Sequence, residues 1–432
     1  MKDIILINLP TNAWYKKEFS KNNAMPPLGL MYIATVLQNN HFDVDLIDFS
    51  VTNMKEHEFT NYILSEKPKI VGISTYAESW LALKVISAHI KSLLPTCLIC
   101  AGGAFATFTY RDVLSKSHVD IISTGEGELS ILALCNSVIH KQGTIPSIPG
   151  LIIKTPEKKV ICTGISKRIT DLDSLPFVNR ELVDASKYNI PYTISTSRGC
   201  PGGCIFCSSK SFWGSKIYMR SASNIVAEIM EIYTKYKSNV FQISDDTFTA
   251  SKKRAIDVCS ALINSGIQFI WGCESRADVI TEDFARLLKK AGCNKIQIGL
   301  ESADNQILKS LNKYVTIEQI ENALKILSEQ GFFITLSFIV GHADDTTSTI
   351  KKTIDFAIQA KEKYGAAPAI SVNTPFPGTP QYSLRHQLGI TIYNTDWNEF
   401  RLDNPNISTR HLTLDQIRQY YYLYPVSYTH LR

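Results

Sequence analysis

A strand–helix rhythm runs through this chain twice, and it constrains the fold more than any other feature. In the first half, short apolar runs at residues 4–7, 70–74, 98–100 and 119–122 are rich in β-branched side chains. Runs of that kind suit parallel strands buried on both faces. Residues 44–49 alternate more and are expected at a sheet edge. Between these runs Leu28, Met31, Ala34 and Leu37 share one helical face, as do Ala82, Val85, Ile86 and Ile90. The pattern predicts an α/β fold that begins with a doubly wound parallel sheet over residues 1–144.

Residues 145–189 break the rhythm with Pro146, Pro149, Gly150, Pro156, Gly164 and Pro176, and read as a connector. Its two apolar stretches, 151–153 and 160–162, can form a hairpin across a turn at 156–159. From residue 190 the rhythm returns, with strands expected at 192–196, 240–244, 269–273, 296–300, 334–340 and 369–373. Thr316 with Gln319 forms a capping box, and Gly292 stops another helix. Six such units predict a partial (β/α)6 barrel over residues 190–385, with active residues at the carboxyl ends of its strands. A second open sheet is the alternative. Residues 386–432 are expected to be a helical region.

At 432 residues, with 44% hydrophobic and 20% charged side chains, the chain can fill two cores. A net charge of +5 comes from scattered lysines without a basic run, so nucleic-acid binding is not indicated. The start is too short in apolar residues for a signal peptide, and no stretch approaches the ~18 apolar residues of a membrane span. A cytoplasmic location is expected, where ten cysteines need no disulfides. Cys97, Cys100, Cys135 and Cys259 read as small core residues. Glycines cluster after two strands of the first half, at Gly102-Gly103 and Gly125-Glu126-Gly127-Glu128. Open α/β sheets bind ligands at that edge, although turn geometry explains glycine there equally well. There is no dinucleotide fingerprint and no P-loop pattern.

The remaining cysteines carry the chemistry. Ser197-Arg198-Gly199-Cys200-Pro201-Gly202-Gly203-Cys204-Ile205-Phe206-Cys207 follows directly on an expected strand. Thiolates spaced C-x3-C-x2-C are soft ligands for iron–sulfur clusters or zinc. Structural zinc wants four closed ligands, and the loop holds no fourth Cys or His. An external ligand must complete the site.

This string resembles the signature of the radical S-adenosylmethionine enzymes, over roughly residues 190–380. The resemblance implies that Cys200, Cys204 and Cys207 hold a [4Fe–4S] cluster whose open iron binds S-adenosylmethionine. The reduced cluster then cleaves the cofactor to a 5′-deoxyadenosyl radical. Phe206 takes the position of an aromatic near the adenine. In the family the second strand end approaches the methionyl amino group, and here it carries Asp245-Asp246; helix capping is the competing role. Arg276 would hold the carboxylate or, alternatively, pair with Asp278 or Glu301. Glu301-Ser302 would contact the ribose or amino group, unless Ser302 caps the next helix. Gly341 would allow close approach to the adenine, with His342 a weaker candidate for the cavity. Residues 373–380, rich in proline, would close the rim beside the substrate.

The first half is similar to the cobalamin-binding domains that precede many such enzymes, on Pro27-Leu28-Gly29-Leu30, Gly102-Gly103 and Gly125-Glu126. It lacks the Asp-x-His-x-x-Gly stretch that supplies an axial histidine to cobalt. The resemblance implies a cobalamin-dependent methyltransferase acting on an unactivated carbon of a small-molecule or peptide substrate, with electrons from a flavodoxin or ferredoxin. Cyclisation or rearrangement, methylthiolation, and a non-enzymatic iron–sulfur redox or sensor role are the alternatives. The last residues, Pro425-Val426-Ser427-Tyr428-Thr429-His430-Leu431-Arg432, resemble a translated adapter fragment, which would leave a natural helical end missing.

Overall fold

Four successive residues, Ile4 to Ile7, are each no more than 1% exposed, so the first strand is covered on both faces. The computed structural model describes residues 1–10 and 25–423. The stretch after the first strand, where an axial histidine would lie, therefore falls partly, and the adapter-like ending wholly, outside the described residues. The chain divides into two compact units, Met1–Pro191 and Tyr192–Arg432.

The first unit runs β1 (Ile4–Asn8), α1 (Leu28–Asn39), β2 (Val44–Asp48), α2 (Glu56–Glu66), β3 (Ile70–Ser74) and α3 (Trp80–Leu93). It continues with β4 (Leu98–Gly102), α4 (Ala104–Phe108), α5 (Tyr110–Lys116), β5 (Ile121–Ser123) and α6 (Glu128–Ile139). The sheet order is β2-β1-β3-β4-β5, all parallel, with β2 at the edge as its alternating pattern predicts. Two further strands, β6 (Leu151–Lys154) and β7 (Val160–Cys162), form the expected hairpin. The hairpin does not stand apart as a connector. It adds to the sheet, with β6 antiparallel to β5, because Leu151 and Ile152 complete the core that β5 would leave open.

The second unit begins with β8 (Thr193–Ile194), β9 (Ser197–Arg198), α7 (Ser209–Trp213), β10 (Tyr218–Met219), α8 (Ala222–Tyr236) and β11 (Val240–Ile243). Next come α9 (Lys252–Asn264), β12 (Ile270–Ser275), α10 (Glu282–Lys290), β13 (Cys293–Glu301), α11 (Asn305–Ser310) and α12 (Ile317–Glu329). The last elements are β14 (Phe333–Val340), α13 (Thr347–Tyr364), β15 (Ala367–Val372), α14 (Pro380–Ser383), β16 (Thr391–Ile392), β17 (Ile407–Ser408) and α15 (Leu414–Leu423). Six parallel strands form one sheet in the order β8-β11-β12-β13-β14-β15, and the two end strands do not pair. The barrel is partial, as the sequence predicts.

Period-two alternation sorts its side chains. Ile296, Ile298, Ile334, Leu336 and Phe338 are fully buried in the helix-facing core. Each contributes roughly 1.5–3 kcal/mol of burial. The concave face carries Gln242, Glu274, Lys295, Gln297, Thr335 and Ser337, all partly or fully accessible. Register sets Glu274 beside Gln297 and Gln297 beside Thr335, so one polar row crosses three strands. Among the described residues no helix is long and apolar enough to cross a membrane.

Candidate active site

The chain enters the cysteine loop through a fully braced segment. The Asp245 carboxylate accepts the Thr196 N–H at 2.6 Å, the Ser197 N–H at 3.1 Å and the Ser197 hydroxyl at 2.6 Å, together with the Thr196 hydroxyl. Arg254 lies 3.6 Å from the same carboxylate and donates to the Thr196 carbonyl at 2.6 Å. Arg220, paired with buried Glu228, donates to the Ser195 carbonyl at 3.1 Å. Asp245 is 3% exposed, and these partners occupy its oxygens. The structure therefore divides the expected pair of aspartates, because Asp245 holds backbone rather than facing a cofactor.

Beyond β9, which pairs antiparallel with β10, the loop turns at Gly199. Its φ of 108° demands glycine, and a Lys216 carbonyl 3.3 Å from where a Cβ would sit adds crowding. The Gly202 N–H donates to the Cys200 Sγ at 3.4 Å, and the Ser209 N–H to the Cys207 Sγ at 3.4 Å. A Cβ on Gly202 would lie 3.4 Å from the Cys200 sulfur and 3.8 Å from that of Cys204. Glycine thus keeps the space between two thiols clear. Burial pushes the Cys204 thiol up, and the Cys207 thiol up to about 11. The loop alone does not favour thiolates, whereas backbone N–H groups aimed at sulfur suit thiolates bound to a metal centre. Among the described residues, no three His, Cys, Asp or Glu side chains converge as ligands of a single ion. The donor set of three thiols, two of them with N–H partners, fits the cluster.

Asp246 meets solvent beside this loop and accepts the Ser209 hydroxyl at 2.5 Å, yet the surrounding protein displaces enough water from its carboxyl to raise it from its ordinary value, with Asp245 adding repulsion. Arg276 forks onto Asp278 with two bonds of 2.9 Å and donates to the Tyr314 carbonyl at 3.3 Å. Of the roles weighed for it, the structure shows the pairing with Asp278. Glu301 adopts a φ of 62°, which costs a non-glycine residue ~1–2 kcal/mol. The strand register shifts there, and the side chain meets Lys313 at 2.8 Å. Burial pulls the Lys313 ammonium down, but Glu301 and then Cys204 offset this and hold it above its ordinary value.

Lys313 escaped the sequence reading because its partner is twelve residues away across a bulge and a helix. Glu274 belongs to no local motif that would single it out. Its side chain reaches the open lumen, yet the surrounding walls displace enough water, with Asp246 and Glu301 adding repulsion, to push it up to about 7. Ser302 is 1% exposed, and its hydroxyl lies 3.3 Å from that of Thr353 on α13. It faces a helix, not a cofactor, and the following helix is capped by Asp304 instead.

The turn after β14 is fixed by Asp345, which accepts the N–H groups of Gly341 at 3.1 Å and His342 at 2.9 Å. Gly341 has a φ of 87°, and a Cβ there would meet Ile417 of α15 at 3.2 Å. The opening expected for adenine at this glycine is thus filled on its Cβ side by the carboxyl-terminal helix. A hydrogen-bond chain ties the turn to the cysteine loop. The Gln381 N–H donates to the Ile205 carbonyl, its amide to Asn373, and the Asn373 amide to the Gly341 carbonyl, at 2.9, 2.9 and 3.1 Å. Gln381 was the unrecognised link in that chain.

In the first unit, Thr75 stitches adjacent strand ends. Its N–H and hydroxyl donate to the Gly102 carbonyl at 3.1 and 2.8 Å. At Gly103, φ is 95° and a Cβ would press to 3.1 Å on the Thr75 carbonyl. The Gly125 N–H donates to the Thr107 hydroxyl at 3.4 Å. Thr75, Gly102, Gly103, Ser123 and Gly125 make a rim of small side chains at the carboxyl edge, which suits a bulky ring seated against backbone. Glu126 does not belong to that rim. It is 5% exposed and accepts Arg168 Nε at 3.0 Å and the Ile169 N–H at 2.8 Å, fastening the segment after the hairpin.

Residues 194–357 match the Radical SAM superfamily, and residues 21–134 match the B12 binding domain. The chain is 29% identical over 421 residues to an uncharacterized methyltransferase of Pyrococcus horikoshii, covering 96% of this chain and 89% of that protein. It is 29% identical over 346 residues to the anaerobic magnesium-protoporphyrin IX monomethyl ester cyclase of Rubrivivax gelatinosus, covering 77% of this chain and 62% of the cyclase. Among solved structures, the radical S-adenosylmethionine methyltransferase TsrM from Kitasatospora setae superposes with a TM-score of 0.74 at 17% identity, over 92% of this chain and 81% of that one. The cobalamin-dependent S-adenosylmethionine radical enzyme OxsB gives 0.75 at 20% identity, over 99% and 66%. At these identities the likeness is one of fold.

Proposed function

Because the chain belongs to the radical S-adenosylmethionine enzymes that carry a B12 binding domain, we propose that it is a cobalamin-dependent methyltransferase acting on an unactivated carbon of a small molecule. The observation that carries this reading is the three-thiol loop, with N–H donors on the Cys200 and Cys207 sulfurs, in a chain that also has the B12 match. When bound, the cluster with S-adenosylmethionine supplies a radical able to open a C–H bond, and cobalamin supplies a transferable methyl group.

The chain's own residues bind and orient. Cys200, Cys204 and Cys207 hold the cluster, and Asp245 with Arg254 fixes the strand that presents it. Asp246 and the Glu301–Lys313 pair offer charged contacts to the methionyl or ribose end, and Arg276, within electrostatic reach of Cys204 and Cys200, is assigned to the carboxylate. The polar lumen supports a hydrogen-bonding substrate, a small molecule or short peptide. In the first unit, Gly102, Gly103 and Gly125 would seat cobalamin against backbone with no imidazole offered after β1. The reading includes a cytoplasmic location, a flavodoxin or ferredoxin as electron donor and no nucleic-acid partner, in keeping with the scattered positive charge.

Similarity to the cyclase favours ring closure as the second reading. Anaerobic reconstitution with cobalamin and methyl-labelled S-adenosylmethionine, across candidate substrates, separates the two: label enters the product of a methyltransferase but not of a cyclase. In the same experiment Cys204→Ala is expected to lose bound iron and 5′-deoxyadenosine formation while retaining cobalamin. Unchanged cleavage in that variant sinks the site assignment.

A further inference from the structure

Two segments close around the cysteine loop. One is its own continuation through α7 to residue 217, which folds back until the Lys216 carbonyl lies 3.3 Å from the Cβ position of Gly199. The other is the end of α11 with the turn that follows. There the Leu311 carbonyl accepts the Ile205 N–H at 3.1 Å, and the Asn312 carbonyl lies 3.9 Å from the Cys204 Sγ. The loop is pinned to the turn after β14 as well, with the Phe206 ring 5.9 Å from that of buried His342. Residues 198–217 and 305–316 together hold Arg198, Lys210, Lys216, Lys309 and Lys313 and not one Asp or Glu. The whole chain, by contrast, nearly balances 45 basic against 40 acidic residues. Glu301 offsets Lys313, and Asp304, just before α11, meets Lys352 at 3.1 Å. Lys210, Lys216 and Lys309 are exposed, with no carboxylate in either segment to neutralise them. Cys207 is exposed in the same stretch, and Tyr314 presents 74% of its surface to solvent.

A basic surface without carboxylates of its own attracts an acidic partner and repels a basic one, and it acts before contact, by steering. Its place in the fold narrows the partner's class. A cluster held by this loop must be given an electron from outside, and the exposed Cys207 leaves one of its ligands at the surface. A carrier that docks here is brought against the loop itself, whereas a nucleic acid would gain nothing from that nearness. Electron-transfer partners meet through small interfaces, below about 1,200 Å², which charge aligns. Three lysines around an exposed aromatic suit contact of that size.

We propose that Lys210, Lys216 and Lys309, around Tyr314, form the docking surface of an acidic one-electron carrier protein. The proposal rests on the cluster reading above and adds to it where the electron enters. With a flavodoxin as carrier, the anionic flavin hydroquinone loses one electron and becomes the neutral semiquinone. The oxidised cluster gains that electron, and no bond or proton changes hands. The test uses the anaerobically reconstituted full chain, with iron and sulfide measured for every sample. Cluster reduction is followed by stopped-flow absorbance and by electron paramagnetic resonance, with two reductants: flavodoxin hydroquinone and the small reductant titanium(III) citrate. Charge reversal in the double variant Lys210→Glu, Lys309→Glu is expected to slow reduction by flavodoxin about tenfold or more at low ionic strength. Its reduction by titanium(III) citrate should stay within about threefold of the unsubstituted chain, and so should flavodoxin reduction of the Lys210→Arg, Lys309→Arg variant. Added salt should slow flavodoxin with the unsubstituted chain and leave the charge-reversed rate nearly flat. Equal flavodoxin rates in the charge-reversed and unsubstituted chains overturn the proposal, as does equal slowing with both reductants. A charge-reversed chain that loses a fluorescent single-stranded oligoribonucleotide but keeps its flavodoxin rate assigns the surface to nucleic acid and overturns it too. If titanium(III) citrate elicits no reduced-cluster signal from the unsubstituted chain, the cluster reading has failed, and the proposal falls with it.

Discussion

Glu274 carries the clearest single-residue consequence. Its carboxyl is raised from an ordinary value near 4.5 to about 7 by burial and by Asp246 and Glu301. A carboxyl raised on folding binds more protons in the native than in the unfolded state between those two values. Its stability contribution is therefore best below pH ~4.5 and declines as pH rises to about 7. Glu274→Gln removes that decline. With the full shift discounted to ~1 kcal/mol because the side chain meets solvent, the variant should melt about 2–4 °C higher at pH 8 and unchanged at pH 5. Thermal melts at the two pH values check this, and equal shifts at both would contradict it. The cysteines were legible in the sequence because their spacing is local. Glu274 was visible as a letter, but its proton affinity depends on carboxylates from two other strands. The roles of Asp245 and Glu126 were not legible for a related reason: the backbone N–H groups they hold lie 43 to 49 residues away.

At the scale of elements, the strand-end bulge on β13 governs the mouth. Gly299 is small because a Cβ would lie 2.3 Å from the Glu301 carboxylate and 2.6 Å from the Lys313 ammonium. Gly299→Ala drives a methyl into that ion pair, whose flexible ends can move aside only by parting, and should destabilise the chain by about 1 kcal/mol. The same change in a Lys313→Met background should cost measurably less, which a double-mutant cycle by denaturant unfolding reads directly. Equal costs in both backgrounds would mean that the pair does not fill the space. Strand positions were read well from apolar runs: residues 70–74 were expected and Ile70–Ser74 is observed. The hairpin was also found, but not its attachment, since its pairing with β5 depends on core residues the local pattern does not reveal.

For the whole molecule, each of the two units carries its own buried core, around Phe338 in one and Ile4 in the other. Ligands that bind different units should then act on different parts of an unfolding profile. Cobalamin at a hundred times its dissociation constant is expected to stabilise the first unit by ~2.7 kcal/mol. Scanning calorimetry should show cobalamin raising one transition and cluster reconstitution raising the other. A single transition moved by both would refute separate seats.

The concave face of the six-stranded sheet has one more consequence. Gln297, Thr335 and Ser337 line the lumen without holding the helices, which grip the opposite side of the same strands. Evolution can therefore rewrite this lining at little risk to foldability. A scaffold of this kind can diversify in what it acts on while its power source stays the same, and a new specificity is best engineered there.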